Sequence, residues 1–198
     1  GWWRRISERK VIGPTFHYPQ LLEEIPLGYD FGFFLGLYLA EGGVNRTEVT
    51  WSFHQDETDL VHSCCLMVEK LTGKTPTVSG RPARPGYRGV SVRVGSGLLA
   101  QLLVSLCGKG AAQKHLPEWV YDTPLDFQLG VVEGVFAGDG AIHDGATILC
   151  QTSRDLAWQV RMLRASLSND FACVLRVPSD SAAHADQYRL AVLLVLLP

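Results

Sequence analysis

The chain has 198 residues, 46% of them hydrophobic, a size and composition that allow one sizeable core or two small fused ones. No apolar run reaches the roughly 20 residues needed to span a bilayer, and the start Gly1-Trp2-Trp3-Arg4-Arg5 has no apolar stretch of the signal-peptide kind, so the reading is a soluble, intracellular protein with no membrane partner. A formal net charge of −2 argues, taken alone, against a nucleic-acid partner, and five cysteines without C-x-x-C spacing support neither a zinc site nor a disulfide framework.

Residues 1–29 combine two adjacent tryptophans, the basic cluster Arg4, Arg5, Arg9 and Lys10, and Pro14, Pro19 and Pro26. This predicts an irregular arm with a short helix near Gln20 to Glu24, packing on the core or touching a ligand. A helix is predicted from Asp30, as N-cap, to Glu41, with Gly42-Gly43 as its stop. In Glu48 to His54, Val49, Trp51 and Phe53 alternate with Thr50, Ser52 and His54, the period of a half-buried strand with a polar face. Thr58 to Leu71 carries a helical apolar stripe (Val61, Cys64, Cys65, Val68, Leu71) ended by Gly73. A strand around Thr75 to Ser79 leads to a hairpin tip at Arg81 to Gly86. Then Tyr87 to Val94 alternates again, with Tyr87, Gly89, Ser91 and Arg93 opposite Val90, Val92 and Val94. Ser96 caps a leucine-rich helix that Gly108 stops after Cys107.

A second helix is predicted from Pro124 to Asp139, a strand from Ala146 to Gln151, a helix from Arg154 to Leu167 with Ser153 as N-cap, and strands near Ala172 to Val177 and Gln187 to Val192. Alternation puts Gln151, Arg176, Gln187 and Arg189 on the exposed face. Cys107, Cys150 and Cys173 lie in apolar surroundings, as buried reduced thiols do.

The order repeats because the sequence does. Phe34 to Gly42 is echoed by Val132 to Gly140 at an offset of 98 residues (139 minus 41), which pairs Gly36 with Gly134, Glu41 with Asp139 and Gly42 with Gly140. Gly36 and Ala40 share one helical face, as do Gly134 and Gly138, and small residues there let two helix backbones come close. Each helix then ends in an acid, where the macrodipole disfavours negative charge and a cation would offset the cost of two neighbouring carboxylates. Charge is also segregated. Lys70, Lys74, Arg81, Arg84, Arg88, Arg93, Lys109 and Lys114 follow one another with no acid between, whereas His115 to Ser153 holds six acids and no Lys or Arg. A polar sheet face beside a basic block suits a β-ribbon reading the major groove of DNA.

This pair of motifs resembles the LAGLIDADG homing endonucleases in their single-chain, two-motif form. The resemblance implies an α+β fold of two pseudo-symmetric αββαββα halves, here residues 30–113 and 114–198, with paired motif helices at the centre and antiparallel sheets forming a DNA-binding saddle. It implies that Glu41 and Asp139, with backbone near Gly42 and Gly140, bind Mg²⁺, for which Mn²⁺ substitutes, beside the scissile phosphates. The linker Lys114-His115-Leu116-Pro117 is similar to that of intein-type and free-standing members, which puts Lys114 near the active centre, with Lys109 as its rival. Gln55 and Gln151 are candidates to position water. Two departures stand out: the first motif carries Glu where Asp is commoner, and a closing helix after Val192 is missing or short.

The expected activity is metal-dependent hydrolysis of both strands of a long, asymmetric duplex by a monomer with an internal pseudo-twofold and no small-molecule cofactor. The expected DNA contacts are Thr50, Ser52, His54, Arg81, Arg84, Tyr87, Arg88, Ser91, Arg93, Gln151, Arg176, Gln187 and Arg189. The rival expectation is a LAGLIDADG module, RNA maturase or DNA-binding domain, that binds without cutting.

Overall fold

The computed structural model describes residues 4–7, 10–12, 20–80, 88–143, 146–168, 171–178 and 186–193. Two helices, α1 (Tyr29–Glu41) and α4 (Leu125–Asp139), form its centre. Phe31, Phe34, Leu35, Leu37, Tyr38 and Leu39 of α1 are all buried, so this helix is apolar nearly all round and needs cover on every side. The cover on one flank is α4, at backbone contact. A Cβ added at Gly36 would lie 2.8 Å from the Cα of Gly134, and one at Gly134 would lie 3.0 Å from the Cα of Gly36. Gly32 would strike the Phe127 carbonyl and Gly130 the Tyr29 carbonyl, so the glycine seam runs four residues further than the Gly36/Ala40 and Gly134/Gly138 spacing indicates. The 98-residue offset pairs Gly32 with Gly130 as well, which is the signal that marks them. The contacts step together along both helices, so the two run in the same direction and their acids arrive at one end.

Each motif helix leads into an antiparallel sheet. After α1 come β4 (Gly42–Asn45), β5 (Glu48–His54), α2 (Thr58–Thr72), β6 (Thr77–Gly80), β7 (Gly89–Gly95) and α3 (Gly97–Cys107), with sheet order β4-β5-β7-β6. After α4 come β8 (Gly140–His143), β9 (Ala146–Gln151), α5 (Arg154–Leu167), β10 (Phe171–Val177) and β11 (Gln187–Leu193), with order β10-β11-β9-β8. Gly42-Gly43 therefore ends a helix and opens a strand in one step, with both glycines in β4. The capping serines behave as expected: Ser96 Oγ accepts from the Leu99 amide at 3.3 Å and Ser153 Oγ from the Leu156 amide at 3.2 Å. Gly73 closes α2 at φ 67°, a left-handed conformation that glycine adopts without strain. Asp30, expected as a cap, lies in the first turn of α1, and Gly28 takes the cap position.

The described parts of the arm include strands. Strands β1 (Arg4–Ser7), β2 (Lys10–Ile12) and β3 (Gln20–Leu22) form a small antiparallel sheet. The helix expected at Gln20 to Glu24 is thus a strand, because pairing with β2 overrides local preference, and Leu21 is buried where β3 meets α2 and α3. The first strands of the two halves are covered differently. In the first, α3 packs on α1, β4 and β5 and half-buries Val44. Its repeat partner Ile142 (44 plus 98) is 83% exposed; residues 194–198, where a closing helix after Val192 is expected to be missing or short, lie outside the described residues. Cys64 and Cys107 are buried free thiols, but Cys150 is half-buried and Cys173 is exposed, against the expectation of burial. No helix among the described residues is long and apolar enough to cross a membrane.

Candidate metal centre and nucleic-acid interface

Glu41 and Asp139 end their helices side by side. A Cβ at Gly138 would lie 2.5 Å from Ala40 Cβ and 3.1 Å from Glu41 Cγ, so glycine before Asp139 is what lets Ala40 and the Glu41 side chain pack there. Lys114, 5% exposed, interacts electrostatically with both acids. Its Nζ donates to the Tyr38 and Leu39 carbonyls at 2.8 and 2.9 Å and approaches the Ala40 carbonyl at 3.4 Å, while lying 5.3 Å from the centre of the Tyr38 ring. The ammonium thus satisfies the last carbonyls of α1, where a positive charge opposes the helix dipole. Lys109 is exposed in the loop after α3, so Lys114 occupies the centre and its rival does not.

Burial dominates the titration of all three groups. It raises Glu41 to about 7, helped by the Asp139 and Glu57 carboxylates and opposed by Lys114. It also raises Asp139, against the Gln151 hydrogen bond and Lys114. Burial lowers Lys114 to about 8, against the pull of Asp139, Glu41 and Cys107. The raised carboxyls hold protons more tightly folded than unfolded, so the contribution of Glu41 to stability is lost as pH rises from about 4.5 to 7, and that of Asp139 changes in the same direction. Lys114 holds its proton less tightly when folded, so stability returns as pH rises from about 8 to 10.5. Metal-free protein should therefore show a minimum in this cluster's contribution between about 7 and 8. Thermal unfolding against pH in EDTA, wild type minus Glu41→Gln, checks it: the fall between 4.5 and 7 should be shallower in the variant, and parallel curves would contradict the burial of Glu41.

The donor set fits a hard divalent cation. Two carboxylates share the site, and among the described residues no group of three or more His, Cys, Asp or Glu side chains could hold a metal. That suits Mg²⁺, which keeps several waters and takes further oxygens from phosphates. The Gly42 and Gly140 amides donate to the Tyr38 and Phe136 carbonyls, so any backbone ligand there is a carbonyl oxygen.

The first sheet carries the expected polar face. Register puts Thr50 opposite Arg93, Ser52 opposite Ser91 and His54 opposite Gly89, with Val49, Trp51 and Phe53 buried behind. Thr77 and Ser79 join the same rows through β6, positions that alternation over so short a strand did not select. Ser91, at 6% exposed, lies between Ser52 and Ser79 and is not openly available. Arg93 is half-buried, and its Nε is buried without a hydrogen-bond partner. Arg88 is exposed just before β7. Arg81, Arg84 and Tyr87 lie outside the described residues. The basic block does not form one surface. Lys70 lies on α2 near Asp30, Lys74 donates to the Gly95 carbonyl and Lys114 is buried.

The second sheet departs from expectation. Gln151 pairs with Tyr188, and Tyr188 with Arg176, which puts Gln151 and Arg176 on the face of buried Leu149 and Leu190. Gln187 and Arg189 are exposed on the opposite face, with Cys173 and Leu175. Gln151 is 5% exposed and donates to Asp139 Oδ2 at 2.5 Å. Arg176, at the strand end, pairs with Asp186 at 2.6 Å. Gln55 is exposed in the turn after β5, and the repeat partner of Gln151 (151 minus 98) is Phe53.

No protein-family model matches the chain. It is 29% identical over 145 residues to the DNA-directed RNA polymerase subunit Rpo1C of Methanocaldococcus jannaschii, covering 72% of this chain and 16% of that protein. It is 26% identical over 129 residues to a DNA polymerase of Thermococcus kodakarensis (62% and 7%), and 24% identical over 109 residues to a DNA gyrase subunit of Mycobacterium gordonae (54% and 20%). The chain thus spans a fifth or less of these relatives. Among solved structures it is similar to the homing endonuclease I-DmoI in complex with DNA and Ca, with a TM-score of 0.62 and 13% identity over 85% of this chain and 84% of that one. It is also similar to the N-terminal LAGLIDADG domain of WhiA, with a TM-score of 0.57 and 10% identity over 86% and 79%. The fold is the LAGLIDADG fold.

Proposed function

We propose that this chain, having the LAGLIDADG fold, is a site-specific endonuclease that hydrolyses both strands of a long, asymmetric DNA duplex with a divalent metal. The observation that carries the reading is the convergence of Glu41, Asp139 and a buried Lys114 ammonium at one end of the glycine-seamed helix pair. Glu41 and Asp139 would supply the protein oxygens for Mg²⁺ or Mn²⁺, with a carbonyl near Gly42 or Gly140. A bound ion would polarise the phosphate and sharpen a water nucleophile. Lys114, held rigid by two α1 carbonyls, would place fixed positive charge where the phosphate gains negative charge. Solved I-DmoI structures with DNA contain Ca, Mn or Mg, which supports a divalent ion and duplex DNA as the ligands. One chain carries both acids, so a monomer suffices, acting wherever its DNA resides inside the cell.

The sheet face would lie in the major groove, with Thr50, Ser52, His54, Arg93 and the neighbouring Arg88 in the first half and Gln187 and Arg189 in the second. Replacing Arg88 and Arg93 by Ala should weaken binding and reduce the slope of log affinity against log salt by about 0.9 for each phosphate no longer neutralised. A gel-shift series across salt concentrations measures it, and an unchanged slope would show that neither arginine neutralises a phosphate. The matched RNA polymerase, DNA polymerase and gyrase proteins have unrelated tasks, and the shared segment is a minor part of each. That pattern supports an element carried inside host proteins, as intein-type endonucleases are.

A second reading, a module that binds without cutting, is favoured by one observation. The outer face of the second sheet offers exposed Leu175 and Cys173 beside its few polar groups, a weak grip on phosphates. Incubating the protein with Mg²⁺ and a randomised duplex library separates the two: cut products support the endonuclease, and bound, uncut duplexes support the module.

A further inference from the structure

The two acids sit in unequal surroundings. Asp139 is anchored: the amide of buried Gln151, from β9, donates to its Oδ2 at 2.5 Å. At the repeat-equivalent position on β5 stands Phe53, 3% exposed, which has no polar atom to offer. Among the described residues no side-chain hydrogen bond reaches Glu41, whose longer side chain passes Gly138 and faces Glu57 and Lys114. The second carboxylate is held by a side-chain hydrogen bond, and among the described residues the first is not.

We propose that Gln151 is a positioning residue that makes the two halves of the active centre inequivalent, so that the strand served by the Asp139 side is cut faster than the strand served by Glu41. This rests on the endonuclease reading. An amide held in the core fixes which Asp139 oxygen is presented and removes the rotational freedom that must otherwise be lost when a ligand binds. Losing the anchor therefore slows one strand and leaves the other. Gln151 faces the core and not the groove, so its loss removes no DNA contact.

The test uses duplexes selected by the wild-type protein from a randomised library and end-labelled on either strand. Single-turnover cleavage of each strand in Mg²⁺ is followed for wild type, Gln151→Leu and Gln151→Met, the last keeping an unbranched side chain of similar length. Thermal unfolding and gel-shift affinity are read on the same preparations, so a variant that fails to fold is replaced by the other. The expected result is a loss of about 10–100-fold on the faster strand, the range seen when a partner of a metal ligand is removed, with the slower strand within about twofold. Wild type then leads with one nick and the variants do not. Equal slowing of both strands, or of neither, in a folded variant overturns the inference and leaves the endonuclease reading standing. Wild type that binds duplex but cuts neither strand overturns both.

Discussion

Glu41→Gln and Asp139→Asn are each expected to lose double-strand cleavage by roughly 10²–10³-fold or more while DNA affinity stays the same or tightens slightly. Both substitutions keep side-chain size, so the close contact at Gly138 is preserved and only charge is removed. Affinity should not fall, because the deleted negative charge would lie beside phosphates. Cleavage and gel-shift affinity measured on one preparation check the result. If both variants cut at the wild-type rate, the paired acids do not form the metal centre, whatever their proximity.

The second large effect concerns folding. Gly134→Val should destabilise the chain by about 3 kcal/mol or more, at or above the upper end of ordinary overpacking, because the added atoms meet the Phe33 carbonyl and the Gly36 backbone and not a side chain that could turn away. In a chain of this length that corresponds to a fall of roughly 6–12 °C in the melting temperature. Gly80→Ala is the control, since nothing lies within 4 Å of a Cβ there and its melting temperature should be nearly unchanged. A Gly134→Val protein that melts with wild type would mean the helices do not touch along this seam.

The motif helices were legible because two signals coincide at each end of the 98-residue offset: small residues on one face, then an acid before glycine. Gly32 and Gly130 carry the same offset and extend the seam. The first sheet was legible for a related reason. In β5 large apolar residues alternate with polar ones, so parity is fixed. In β9 it is not: Ile148 and Cys150 on one face and Leu149 on the other are all apolar, and counting alone assigned Gln151 to the wrong side. The ladder to β11 decides it, and that pairing is not written in the local pattern. The Gln20–Leu22 strand was missed because three residues carry too little pattern to outweigh neighbouring prolines. Lys114 was visible only through the resemblance of its linker, since nothing local distinguishes a lysine that will be buried from one that will be solvated.

Lys114 exists once. The position 98 residues before it is Phe16, so the repeat that supplies two acids supplies a single ammonium. Its side chain caps α1, and its own carbonyl accepts from Ser153 Oγ at the start of α5, so one linker residue fastens both copies of the plan. Two identical protomers related by a true twofold would present such a group twice or, on the axis, not at all. Covalent fusion lifts that rule: once both copies share one polypeptide, a substitution in one is no longer imposed on the other, and each can drift towards its own half of a target. Gln151 beside Asp139, Phe53 in the matching place and a single Lys114 are differences that one shared polypeptide permits and a true twofold would forbid.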